Sequence, residues 1–513
     1  KALLEGVSGA HVSLPGPVSR PRRRIALGVT IVAVLAIAGV VGARLLRSSP
    51  GGGVKGGGPS LAVLPFENLQ GDSASNYFSD GISEEILGTL SRLPGLRVLG
   101  RSVTFRNRGR AMDAKQLGRE LGVSHVLEGS VQHAGSHVRV NARLTDAASG
   151  FSVWSDRYDR DLTDIFGMED AIAQEIAKAL DVRLVGGVHG PAGTTTNPQA
   201  HDQYLLGLAA RNRRDVKQAA ALFSRAIALD SSYAAAWAGL SSVLVLLPEY
   251  DLKTNADSAM TASRAAAARA LALDSTQVNA HLALAYGAKM RGRDFPRADA
   301  EYVRALALDP NLAEAHHWHG ELLMELARFD DATAEFAKSL EQDREAPATH
   351  AMLAMVLFRR AEAGRPALVD SAIAACRRSN ELSPPGGVFP FEFACGAALT
   401  RARRFGLARP YLVRAGRASG DSTLFASLMD GVSDASKRDV ALARLAGAEG
   451  RGLDPVFGAV WYLLLSDPDR ATAALERAER AGSPFQSYLE VLDFSGLPAT
   501  ARLRALRTRL GYP

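Results

Sequence analysis

Five carboxylates fall within one stretch of the chain, LAVLPFENLQGDSASNYFSDGISEEI (Leu61–Ile86): Glu67, Asp72, Asp80, Glu84 and Glu85. Carboxylates that converge on one point hold a hard cation or work as an acid–base pair. The spacing argues against convergence here. Phe78, Ile82, Ile86 and Leu90 step by four and form the buried stripe of a helix from about Ser75 to Arg92. Asp80 and Glu84 fall off that stripe and Glu85 lies on its flank, so these acids are expected to decorate a solvated face and the first turns of the helix. Convergent, perturbed carboxylates near Glu67 and Asp72 would revive a catalytic reading.

The other candidates for chemistry are thinner. His125, His133 and His137 surround one predicted hairpin, but strand alternation need not bring them together, and exposed hairpin histidines are expected. In HHWH (His316–His319), His316 and His319 share a helix face at positions that pack between helices, so a structural role is expected. Cys376 and Cys395 are the whole cysteine complement. They make neither a disulfide framework nor a zinc site, which needs about four ligands; two small buried thiols are expected, with mutual pairing as the alternative. Gly51, Gly53 and Gly56 match G-x-G-x-x-G. A phosphate cradle needs a strand before it and a helix after it, and this context supplies neither. No G-x-S-x-G, H-E-x-x-H, G-x-x-x-x-G-K-[ST], H-R-D or D-F-G occurs. No catalytic residue, metal ligand or cofactor is assigned.

The 513 residues exceed one core, and 47% apolar content excludes global disorder. A net charge of +6 is mild for this length and argues for no nucleic-acid partner. The uncharged stretch Ile25–Ala43 is nearly long enough to cross a hydrocarbon core of about 30 Å. Arg20, Arg22, Arg23 and Arg24 precede it and set its expected topology, amino terminus inside. The expectation is a single-pass inner-membrane protein with most of the chain extracytoplasmic. The expected organisation is a cytoplasmic segment (1–24), a transmembrane helix (25–43), a Gly-rich linker (44–59), an α/β domain with a mixed sheet (60–185), a second linker (186–198), a superhelical all-α repeat array (199–420), and degenerate repeats with a carboxy-terminal cap (421–513).

In the α/β region the predicted order is β-α-β-α-β-β-β-α. Val138, Val140, Ala142 and Leu144 alternate at period two. In the repeat region, segments ending in Asp230, Asp274, Asp309 and Asp343 are spaced 44, 35 and 34 residues apart. Ala219, Ala298 and Ala332 each precede an aromatic by four: Phe223, Tyr302 and Phe336. The small residue lets paired helices approach and the aromatic fills the next groove. Gly207, Trp237, Leu240 and Gly320 occupy matching positions on the first helices. The 44-residue step implies an insertion around Leu247–Asn255.

These segments carry a resemblance. LAVLPFENL, YFSDGISEEI, ELGVSHVLEGSVQ, VRVNARLTDAASG and WSDRYDRDLTDIF resemble the domain similar to the amino-terminal domain of TolB, and the repeats resemble a tetratricopeptide array. The resemblance implies the sensing or protein-binding region of a bacterial membrane-anchored signalling protein. Its effector, a serine/threonine kinase, cyclase or winged-helix domain, would lie upstream, with the kinase favoured. The implied partner is a protein or peptide on the concave face, with homo-oligomerisation open. No catalytic residue carries over. The competing expectation is a stand-alone anchored scaffold or envelope assembly factor.

Overall fold

The computed structural model describes residues 58–71, 75–109, 112–182, 194–250, 254–383, 389–418, 420–481, 483 and 500–509. The expected span Ile25–Ala43, its flanking Arg20, Arg22, Arg23 and Arg24, most of the Gly-rich linker and Asp72 lie outside these residues. Among the described residues no helix is long and apolar enough to cross a membrane. The longest, Ala256–Leu273, has 18 residues and carries Asp257, Arg264 and Arg269. Among the described residues the fold class is therefore corrected to an α/β domain followed by an all-α repeat, with no membrane-spanning helix. The single-pass inner-membrane localisation is corrected with it.

The α/β domain runs β1 (Ser60–Val63), β2 (Glu67–Asn68), α1 (Asn76–Ser91), β3 (Arg97–Val98), α2 (Arg101–Phe105), α3 (Ala114–Leu121), β4 (His125–Ala134), β5 (His137–Asp146), β6 (Ser152–Asp161) and α4 (Ile165–Ala179). The strand order is β3-β1-β4-β5-β6, with β2 also pairing with β4. The pairs of β1 with β3 and β4 are parallel, and β4-β5-β6 is an antiparallel meander. Alternation in β5 puts Val138, Val140, Ala142 and Leu144 in the core. They meet α4 and the α1 stripe Phe78, Ile82, Ile86 and Leu90, all buried.

The repeat follows as α5 (Pro198–Asn212), α6 (Val216–Leu229), α7 (Ala234–Tyr250), α8 (Ala256–Leu273), α9 (Val278–Gly287), α10 (Phe295–Leu308), α11 (Ala313–Glu325), α12 (Phe329–Gln342), α13 (Pro347–Glu362), α14 (Val369–Leu382), α15 (Phe389–Arg401), α16 (Phe405–Ala418), α17 (Ser422–Ser433), α18 (Arg438–Gly450), α19 (Pro455–Leu464), α20 (Pro468–Ala481) and α21 (Ala501–Arg509). Consecutive helices pack as pairs, and α17 with α18 fill the stretch where the sequence pattern fades. The 44-residue step is taken up largely by length: α7 and α8 have 17 and 18 residues, against 14 in α10 and 13 in α11.

The periodic aspartates have a local cause. In each of four repeats the aspartate ends the second helix, and its Oδ1 accepts the backbone N–H two residues on: Ser232 to Asp230, Thr276 to Asp274, Asn311 to Asp309 and Glu345 to Asp343, at 2.9–3.1 Å. This Asx turn reverses the chain into the next helix and leaves Oδ2 free for other work.

Between paired helices, a Cβ on Gly207 would sit 2.6 Å from the Phe223 ring, and one on Gly320 would sit 2.7 Å from Phe336. Ala219, Ala298, Ala332, Phe223, Tyr302 and Phe336 are fully buried. Trp237 and Leu240 are half-buried, and the Trp237 indole N–H donates to the Ser231 carbonyl at 3.0 Å.

Cys376 on α14 and Cys395 on α15 are joined in a disulfide, Cα–Cα 5.7 Å, in place of two free thiols. The bond closes a loop across a separation of 19 residues. Its reduction is expected to cost about 3 kcal/mol of stability, read as a lower urea midpoint with dithiothreitol; a double Cys→Ser variant should show the same midpoint with and without reductant.

Candidate functional site at the domain junction

Helix α1 presents its stripe to the sheet and its acids to the repeat. Glu84, expected in solvent, is only 15% exposed at its side chain. It accepts from the Arg211 guanidinium at 2.9 Å and from Asn212 Nδ2 at 2.7 Å, both on α5, and pairs with Arg101 Nε on α2 at 2.9 Å. Glu85 lies 3.3 Å from Nε2 of the buried His201. Tyr77 donates to Asp202 at 2.5 Å. Gly81 lets α1 and α5 close up: a Cβ there would be 2.6 Å from Leu205. These acids are thus corrected from a solvated face to a joint between domains. Asp80 pairs with Arg108, and Glu67 is exposed on β2.

A second line of contacts uses the turn aspartates. Ser91 donates to Asp309 Oδ2 at 2.8 Å and Ser102 to Asp343 Oδ2 at 2.5 Å. Asn311 Nδ2 donates to the carbonyls of Ser91 and Leu96, both at 2.8 Å, and Gly100 N–H donates to the Gln342 carbonyl at 2.9 Å. The same residues that turn the repeat therefore hold the α/β domain along it.

Between these two seams lies a cavity of about 1160 Å³. One wall is α1 with Gly100–Ser102; the other is formed by the first helices of successive pairs, including Tyr204, Tyr286, Trp318 and Thr349. Lys289 lies in it, 2% exposed, on a π-helical turn at Ala288–Gly292 that follows α9. It donates to Glu321 at 2.9 Å and stands 3.3 Å from Glu325. Burial alone would lower the Lys289 pKa, but the two carboxylates raise it well above the ordinary value. Burial would likewise raise Glu321, yet Lys289 and His317 hold it down to about 2. For Glu325 burial wins, and its pKa is raised despite Lys289 and Arg293.

The histidines separate by environment. His281 and His316 stand at one register of the first helices and meet Glu301 and Glu335 of the paired helix at 2.7 and 2.5 Å. His201 stands six residues before Gly207, whereas His316 stands four before Gly320, so it is off that register, and its carboxylate partner is Glu85 of the α/β domain. His319 meets Asp299 at 2.9 Å, and with Glu335 beside it its pKa is raised although burial opposes this. His125, His133 and His137 are not brought together: His125 bonds Ser124, His133 stacks on Phe78, and His137 pairs with Asp161. Among the described residues no group of three or more His, Cys, Asp or Glu could hold a metal ion. Sequence reasoning missed Lys289, Glu169 and the joint role of Glu84 and Glu85.

The family of HilA/YgeH-like transcriptional regulators, second domain, matches residues 57–178, the α/β domain. The chain is 40% identical over 195 residues to "Putative adenylate cyclase 3" of Rhizobium meliloti (strain 1021), covering 36% of this chain and 32% of that protein. The chain thus spans about a third of that relative's length. Among solved structures, MamA is similar at 16% identity and TM-score 0.26, over 34% of this chain and 93% of MamA. Lipoprotein GNA1162 from Neisseria meningitidis is similar at 25% identity and TM-score 0.20, over 24% and 99%. TolB from Acinetobacter baumannii is similar at 16% identity and TM-score 0.19, over 24% and 28%. At such TM-scores the solved structures carry no argument, and the TolB-like assignment is not confirmed. The α/β domain is similar to the second domain of HilA/YgeH-like regulators.

Proposed function

We propose that the chain is a non-catalytic protein-binding region of a bacterial signalling protein, with the repeat groove taking a protein or peptide and the effector lying in another domain. The observation that carries this is the junction cavity, which the first helices of successive pairs line with aromatic and charged side chains. A stack of helix pairs presents such a surface to extended segments. The regulator-like match over residues 57–178 and the cyclase-named relative, most of whose length lies outside the match, support a regulatory setting. An effector of cyclase or winged-helix type fits those names better than the kinase favoured from sequence.

The test is selection of dodecapeptides on the purified chain, followed by hydrogen exchange of the chain with the tightest binder. Protection is expected in α5, α9 and α11. Binders that protect only α10 and α12, or cyclic AMP made from ATP by this chain alone, would overturn the reading.

A further inference from the structure

One end of the junction cavity is lined by groups whose hydrogen-bonding capacity the protein does not use. Glu169 on α4 is 4% exposed, and its Oε1 has no hydrogen-bond partner. Tyr233, which leads into α7, is fully buried, and its Oη has none either. Both line the cavity, with Glu85, Phe166 and Tyr204. A buried polar atom without a partner has lost its water and gained nothing in return, so two at one cavity wall mark a place where a ligand restores what folding removed.

The surroundings define the ligand's charge. Glu85 stands beside Glu169 on the same wall, so the corner carries two carboxyls. The nearby cation Arg211 is committed to Glu84, and His201 to Glu85. Aromatic rings close the space: Phe166 lies 5.0 Å from His201 and 6.2 Å from Tyr233, and Tyr204 lies 5.1 Å from Tyr233. Carboxyl oxygens, an accepting phenol and ring faces together favour a cation that carries N–H donors.

We propose that this corner is a binding site for a protonated alkylamine, which donates to Glu169 Oε1 and Tyr233 Oη among the rings of Phe166, Tyr204 and Tyr233. The site deepens the reading of the cavity as a binding groove and rests on it. The same chemistry is offered by a lysine side chain of a partner protein and by a free amine.

The site's response to pH follows from its carboxyls. Burial raises Glu169 well above the ordinary carboxylate value, and Glu85 beside it adds to this. Burial also pushes the adjacent Asp170 up to about 6, against Arg92. A protonated Glu169 attracts a cation less than its carboxylate does, so amine affinity rises as pH rises through the titration of Glu169 and falls on acidification.

The test is calorimetric titration of the full chain with n-butylamine, 1,5-diaminopentane and Nα-acetyl-lysine N-methylamide, with n-butanol as the neutral control. Saturable binding of an amine, none of butanol, and at least tenfold weaker binding in Glu169→Gln are expected; Tyr233→Phe keeps the ring and should weaken binding severalfold. Binding of the blocked lysine but not the diamine assigns the source to a partner protein, and the reverse assigns it to a free amine; either supports the site. Circular dichroism checks both variants, and either one alone decides if the other does not fold. Absence of saturable uptake, or uptake indifferent to both substitutions, overturns the proposal. Peptides that bind the groove without a lysine or free amino group would leave the groove reading standing and remove this one.

Discussion

Glu84→Ala is expected to destabilise the protein by about 2–3 kcal/mol and to loosen the α/β domain from the repeat. One carboxylate serves three partners from two elements of the joint, Arg101, Arg211 and Asn212. Removing it leaves two guanidinium groups facing each other, and burial already lowers the Arg101 pKa. The arginine side chains are 29% and 26% exposed, so water recovers part of the loss and the upper end for a buried pair is not reached. Glu84→Gln keeps an acceptor and should cost about half as much. The control is Glu67→Ala on exposed β2, expected below about 0.5 kcal/mol. Urea unfolding gives the energies. Hydrogen exchange locates them, with protection lost along α1 and α5 in Glu84→Ala. If Glu84→Ala and Glu67→Ala behave alike, the network does not hold the joint.

This residue also shows where sequence stops being informative. Its position four after Asp80 and off the Phe78–Leu90 stripe is a correct local fact. The inference from off the stripe to solvent fails because a second domain covers that side, and nothing within α1 encodes the cover. Local periodicities fared better where one face meets one core, as with Val138–Leu144 on β5 and the aspartates at the repeat ends. The short elements β2 and α2 were missed for the opposite reason: tertiary contacts define them, Glu67 pairing with Ser130 and Gly100 N–H reaching Gln342. Lys289 was out of reach because a π turn sets its direction, and hydrophobic spacing does not report such a turn. The Glu85–His201 contact was not legible either: His281 and His316 take their glutamates from the paired helix, while His201, two residues further from Gly207 than His316 is from Gly320, takes its carboxylate from another domain.

Phe336→Ala should have the larger effect, about 3–5 kcal/mol. The ring is fully buried, lies over Gly320 so closely that a Cβ there would meet it at 2.7 Å, and sits 5.9 Å from the His317 ring. The adjacent glycine cannot fill the void, so little collapse offsets the loss. In a stack of repeats each pair is held chiefly by its neighbours, and a void should open α11 and α12 first and spread to α10 and α13. The joint makes a further demand. α12 ends in Gln342 and Asp343, which bond Gly100 N–H and the Ser102 hydroxyl. Opening α12 therefore releases the α/β domain at that seam, while the Glu84 seam on α5 is spared. Hydrogen exchange should show amides of residues 100–105 losing protection together with α12, through the bonds of Gly100 and Ser102 to Gln342 and Asp343. Protection lost in α11–α13 with residues 100–105 unchanged would mean that the turn aspartates do not couple the two domains.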